Sequence, residues 1–298
     1  MLRTNIENLI KISIMGKIVH PVKGPRPYLV SHDGQIRVLP GIGGITYNKR
    51  IGDVCVGLAA DHVEPGVSTQ NTDKFESSPQ AYNRAYNALA CIGNEAKIVS
   101  GDAKGEVGVV TGKHGGIEHV IIDFEPDILE KLLIGDQLLI KAFGQGLELL
   151  DYPDVAVRNL DPSLLDKLKL EEHSGCLQVG VAKMIPAKIM GSGLGADQTW
   201  TGDYDIQLFD ETIVAKYNLH NLRFGDIVAI LDSDHTYGRV YKRGAISIGV
   251  VVHSDCYISG HGPGVTTLLT TKEQGRIVAH LDPTANLANI LGINTDSE

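Results

Sequence analysis

Apolar residues in this chain come in short runs that glycine punctuates. Stretches such as "HVIID", "GVVVHSD" and "GDIVAILDSD" are too short for ordinary helices and rich in the Val and Ile that strands favour. Helical grammar is rarer. "SSPQAYNRAYNALACIG" offers Ser78 as a cap, Pro79 in a first turn and Gly93 as a stop. "EPDILEKLLIG", "DPSLLDKLKLEEH" and "DPTANLANILG", the last with Asp282 before Pro283 and Gly292 after, repeat it, each predicting about three turns. The pattern therefore predicts a mainly β protein, built of short-strand sheets or barrels with a few three-turn helices.

An internal echo refines this. "GDVCVGLAADH", Gly52 to His62, lies on "GDIVAILDSDH", Gly225 to His235, without a gap, and "IGDQLLI" repeats the Gly–Asp start at Gly135. Glycine permits a positive-φ turn into a strand, and the aspartate can accept backbone N–H groups of that turn. Two readings stand: an internal duplication of a β unit, or a turn grammar shared by chance.

Length and charge narrow the classes. The 298 residues suit two compact β-rich domains, drawn here at 1–175 and 176–298. A 43% hydrophobic fraction with mean hydropathy near zero supplies a core. The net charge of −9 and dispersed Lys and Arg, apart from Arg239, Lys242 and Arg243, argue against nucleic acid as a partner. No run reaches the roughly 18 apolar residues that cross a membrane, and the first residues do not read as a secretory leader. A cytoplasmic homo-oligomer is expected. Cys55, Cys91, Cys176 and Cys256 lack metal-finger spacing and read as free thiols, Cys55 and Cys256 within strand-like runs.

Candidate chemistry concentrates between Gly225 and Gly264. Alternate residues of a strand share a face, which groups Asp232 with Asp234 and His253 with Asp255. "SGHGPG" then exposes His261. Imidazole and carboxylate in that pattern can make half of a Zn or Mn shell, so Asp232, Asp234 and His253 are the expected metal ligands. Asp255 and His261 are the expected catalytic groups. The bland alternative is that the acids only close turns. The echo adds Asp61 and His62. "GVVTGKHGGIEHVIIDFE" holds His114, Glu118, His119 and Asp123, but reads as a hairpin with an exposed polar loop and lacks the P-loop spacing. "GSGLGA" has the glycines of a dinucleotide fingerprint without the helix after them, so no nucleotide cofactor is expected. That loop, tipped by Trp200, suits a substrate-facing lid or an interface. No G-x-S-x-G elbow is present, and Cys256 cannot reach His253 along an extended strand.

Taken together, "PAKIMGSGLGADQTWTGDYDIQ", "LRFGDIVAILDSDHTYGR" and "RGAISIGVVVHSDCYISGHGPG" resemble an uncharacterised prokaryotic family known only as a domain of unknown function. The likeness spans nearly the whole chain; it implies a mainly β fold and no activity. "TGDYD" and "RGAISIG" also resemble segments of the acetamidase/formamidase family in the C-terminal third. That likeness implies roles for Asp205 and His253 at a metal-assisted amide-hydrolysing site. It departs where Val250 follows Gly249 in place of an aspartate. Two functions are thus expected to compete: hydrolysis of a small amide-like substrate by metal-activated water, or non-catalytic small-molecule binding or assembly.

Overall fold

A computed structural model describes residues 2–293. The N-terminal half closes a six-stranded antiparallel barrel from β1 (Ile12–Ile18), β2 (Gly66–Gln70), β3 (Glu95–Ile98), β4 (Val107–His114), β5 (His119–Asp123) and β6 (Gln137–Ala142). Their order is β1-β6-β3-β4-β5-β2, and the pairs Lys17↔Gln70 and Ile18↔Thr69 return β2 to β1. Closure removes the free sheet edges, and Val67, Ile98, Val110, Ile122 and Leu138 are fully buried.

The C-terminal half is built differently. β7 (Glu171–His173), β8 (Cys176–Val181) and β13 (Ile277–Leu281) form a three-stranded sheet. β9 (Lys183–Pro186), β10 (Ile227–Asp234), β11 (Val240–Val251) and β12 (Val265–Thr271) form an open sheet in the order β12-β11-β10-β9, extended beyond β12 by Ala156–Val157. β9 runs parallel to β10, so this is no second barrel. The chain is mainly β, as the pattern predicts.

The halves meet along β4. Thr266 donates to the Lys113 carbonyl at 3.0 Å, and Gly112 leaves the room that Val252 fills: a Cβ there would stand 2.8 Å from that of Val252. The Lys113 ammonium is wholly buried and donates at 2.9 Å to both the Asn159 side chain and the Trp200 carbonyl. Burial pushes its pKa down to about 8.

The echo proves to be one of turns. Gly52, Gly135 and Gly225 all have positive φ, and the aspartate after each accepts the backbone N–H three residues earlier at 2.9 Å: Asp53 from Arg50, Asp136 from Leu133, Asp226 from Arg223. Beyond the turns the copies diverge. Residues 54–61 form isolated bridges, bends and irregular backbone where 227–234 form β10, so Cys55 lies in a loop, as does Cys256.

The helices are shorter than three turns. α1 (Ala81–Leu89) is preceded by Gln80 rather than Ser78, and α2 (Pro126–Leu129), α3 (Pro162–Lys167) and α5 (Leu287–Leu291) have two turns or fewer. The Leu133–Asp136 bond draws the chain out of α2 into the Gly135 turn. α5 is capped by Asn286, not Asp282, and ends at Gly292 with φ 69°. An unexpected α4 (Glu211–Lys216) starts at Asp210, which accepts from Thr212 and Ile213. No helix among the described residues is long and apolar enough to cross a membrane.

Candidate metal centre

The seam between the halves gathers histidines from both. His114 ends β4 and His119 begins β5, and their cross-strand pairing sets the two side chains together. Glu64 lies beneath them, 2.5 Å from His114 Nδ1 and 2.9 Å from His119 Nδ1. His62, two residues before Glu64, holds φ at 54°, an uncommon conformation for a residue with a side chain. From the other half, Asp203 and Asp205 sit at alternate positions of a segment bridged to Gly264. His253 follows β11, and His261 lies in the glycine-rich loop.

The hydrogen bonds orient the imidazoles. His253 Nδ1 is 2.9 Å from the Ser254 carbonyl, which can only accept, so that nitrogen carries the proton. His62 Nδ1 donates to Asp61 at 2.8 Å and His114 Nδ1 to Glu64. All three rings are thus held from outside, leaving Nε2 as the inward atom. Histidines that bind metals are held by their second nitrogen in this way. Inside, His253 Nε2 is 2.7 Å from Asp203 Oδ2 and 3.7 Å from Asp205 Oδ1. His62 Nε2 is 3.7 Å from Asp205 Oδ2, and His261 Nδ1 is 3.0 Å from the same oxygen. His62 and His261 face each other through ring nitrogens at 3.2 Å.

Two ligand sets emerge. The inner one is His114, Asp203 and His253; the outer one is His62, Asp205 and His261. Within each set the donor atoms lie within 4.8 Å of one another. Both groups border a cavity of about 1000 Å³, whose wall includes Val22, Arg26, Leu29, Ile42 and Leu194. Asp61, His62 and Cys256 form a third grouping behind the outer set.

The electrostatics follow from burial and close charges. Burial disfavours a charged His62, yet Asp205 and Asp61 outweigh it and push its pKa up to about 12. For His253 burial again opposes the charge, and Asp203 beside it raises the pKa. Burial and repulsion from His253 instead lower His114. Glu64 loses solvation, but His119 and His114 hold its carboxyl well below the usual range. Asp205 is held low against its own burial by His261 and His62.

Of the expected residues, Asp205, His253 and His261 come together. Asp232 and Asp234, expected as ligands, do not join them: they belong to neither set nor to the cavity wall. Asp232 accepts from the Gly244 backbone at 2.8 Å, and Asp234 from Thr236 N and Oγ1 at 2.9 and 2.6 Å. The acids there close turns. Asp255 also lies outside both sets, because β11 ends at Val251 and the alternation stops there. Its carboxylate accepts from Gly57 N at 2.7 Å, and burial pushes its pKa up to about 6. The hairpin carrying His114 and His119 is present, but both histidines are buried instead of exposed. The loop at Ser192–Gly195 faces the cavity; Trp200, instead of tipping it, lies under Arg158, 4.6 Å from its ring centre. Asp203 and Glu64 were not anticipated, although the D-x-D and H-x-E spacings that carry them are visible in the sequence.

Comparison with known proteins gives a family and a fold. A model described as "Domain of unknown function (DUF4438), N-terminal" matches residues 28–166, and its C-terminal counterpart matches residues 167–291. The solved structure "Crystal structure of TM1086" is 47% identical, covers 97% of this chain and 98% of its own, and superposes with a TM-score of 0.89. No curated protein matches. The resemblance to an uncharacterised family therefore holds, whereas that to acetamidase/formamidase is not supported.

Proposed function

Since the chain belongs to the DUF4438 family, whose function is unknown, we propose from its side-chain chemistry that it is a divalent-metal-dependent hydrolase of small amide-like substrates. One observation carries the reading: His62 and His253 are tied outward through Nδ1 and turn Nε2 toward buried aspartates, and His114, tied to Glu64 through Nδ1, is grouped with Asp203 and His253. In that arrangement a cation belongs between Nε2 and the carboxylate: a proton makes an ion pair, and a divalent metal can take the proton's place. His114, Asp203 and His253 offer the mixed nitrogen and oxygen donors that Zn and Mn accept, with His114 and Asp203 reaching the cavity wall.

A divalent metal held by His114, Asp203 and His253 would supply a water activated toward hydroxide near neutral pH, for addition to an amide carbonyl carbon. The C–N bond then breaks, the nitrogen takes up the proton that the water released, and a carboxylic acid and an amine leave. The cavity suits a small substrate with an apolar body against Val22, Leu29 and Ile42.

The test is metal content of protein purified without chelator or affinity metal, for the parent chain, His253→Ala and Asp203→Asn. A panel of small amides is then assayed with Zn or Mn. The expected result is near-stoichiometric metal in the parent, lost in both variants, with turnover that chelation abolishes and metal restores. A folded parent that takes up neither Zn nor Mn overturns the reading. Metal without turnover of any amide overturns the catalytic part and favours a small-molecule binding role.

A further inference from the structure

The outer set repeats the inner one, and one carboxylate lies between them. Asp205 presents Oδ1 to His253 at 3.7 Å and Oδ2 to His261 and His62 at 3.0 and 3.7 Å. Its two oxygens therefore face the two ligand sets separately. The backbone is cleared at both places. A Cβ on Gly264 would collide with Asp203 Oδ2 and His253 Nε2, and one on Gly193 with Asp205 Oδ2, 2.9 Å from His261 Nδ1. Asp61 holds His62 from outside as Glu64 holds His114. Each set thus has two imidazoles, one aspartate, an outer carboxylate and a glycine.

From this duplication we infer that the cavity floor holds two divalent cations, the second on His62, Asp205 and His261, with Asp205 bridging them. The inference rests on the single-ion reading above and deepens it. Paired ions about 3.5–4 Å apart can hold an attacking oxygen and a substrate oxygen together. The outer ion, beside the partly open His261, is the one a substrate oxygen would reach. The preferred substrate class is then an amide with a second oxygen donor near the scissile carbonyl, able to span both ions.

The experiment counts metal. Chelator-stripped protein is loaded with Mn(II), desalted, and assayed for bound ion by mass spectrometry and for ion coupling by electron paramagnetic resonance. The parent chain, His261→Ala and Gly193→Ala are compared, with circular dichroism and thermal melting for each. The parent should hold two ions with an exchange-coupled spectrum; both variants should hold one, with the spectrum of an isolated ion, a native circular dichroism spectrum and a cooperative melt. One ion in the parent, unchanged in His261→Ala, overturns the second site and leaves the single-ion reading intact. Two ions in His261→Ala overturn the outer assignment. No ion in a folded parent overturns both readings.

Discussion

The inner and outer ligand sets share a design and differ in surroundings. His114, Asp203 and His253 are buried, at 6%, 1% and 0% exposure, with His114 and Asp203 bordering the cavity; in the outer set His62 and Asp205 are buried too, and the His261 side chain is 36% exposed. Glu64, which holds the inner His114, also takes His119 and is itself buried; Asp61, which holds the outer His62, is partly open and pairs with Lys23 at 3.7 Å. The inner set is bound into the fold of both halves. In the outer set only His261 stands on the partly exposed glycine-rich loop. Chemistry at the inner set should therefore be inseparable from stability, and chemistry at the outer set should not.

Glu64→Gln tests this most severely. It removes the charge against which two buried imidazoles are held, and breaking a buried pair costs about 3–5 kcal/mol. Urea unfolding near neutral pH should show a loss of that order together with weaker inner-site metal binding. Asp61→Asn should lose less, because His62 keeps Asp205 as a second carboxylate. Equal losses would erase the contrast between the two sets.

The glycines repeat the comparison at smaller scale. Gly264→Ala forces a methyl group between Asp203 and His253, and overpacking of that kind costs about 1–3 kcal/mol. Gly193→Ala also meets a buried carboxylate, Asp205, but its other neighbour His261 is partly exposed, so its cost should fall toward the low end of that range. Melting curves of the two variants without metal decide the matter. A more damaging Gly193→Ala would mean that the outer loop is the more rigid of the two.

A buried histidine outside both sets is a control for them. His235 lies between hydroxyls, with Nε2 2.8 Å from Ser233 Oγ and Nδ1 2.7 Å from Thr267 Oγ1. Burial, with Arg239 nearby, pushes its pKa down to about 3. The sign follows from linkage. Between the unfolded pKa near 6.5 and the folded value, the unfolded chain binds a proton that the native chain refuses, so stability falls as pH drops through that window. The slope from this residue is at most about 1.4 kcal/mol per pH unit. His235→Gln should flatten the stability profile over that window and leave metal content unchanged. An unaltered slope would show that His235 does not stay neutral in the native protein.

How far the sequence disclosed the centre depended on whether the chain stayed extended. The barrel and sheets were legible because Val and Ile runs bounded by glycine have few other uses. His253 and His261 were legible as chemical groups near strand ends, whereas Asp205 entered only through the likeness to acetamidase/formamidase, which is not supported. Asp232 was misplaced because its φ of 59° and the register shift between Leu231 and Ser233 break the alternation that paired it with Asp234. Asp255 was misplaced because β11 stops four residues earlier. Glu64 and Asp203 were overlooked for a different reason. Their partners His114 and His253 lie 50 residues away in the chain, and spacing alone does not reveal a seam between two halves.

Asp234 offers the smallest and most specific test of that lesson. Before the fold is considered, it looks as good a ligand as His253. In the structure its carboxylate only receives the Thr236 amide and hydroxyl, half-buried at the end of β10. Losing turn bonds of this kind costs about 0.5–1.5 kcal/mol. Asp234→Ala should therefore melt slightly earlier than the parent and retain its full metal content. His253→Ala should lose inner-site metal. If Asp234→Ala released metal with the fold intact, the separation drawn between turn-closing acids and ligand acids would fail, and Asp234 would have to be counted with the centre.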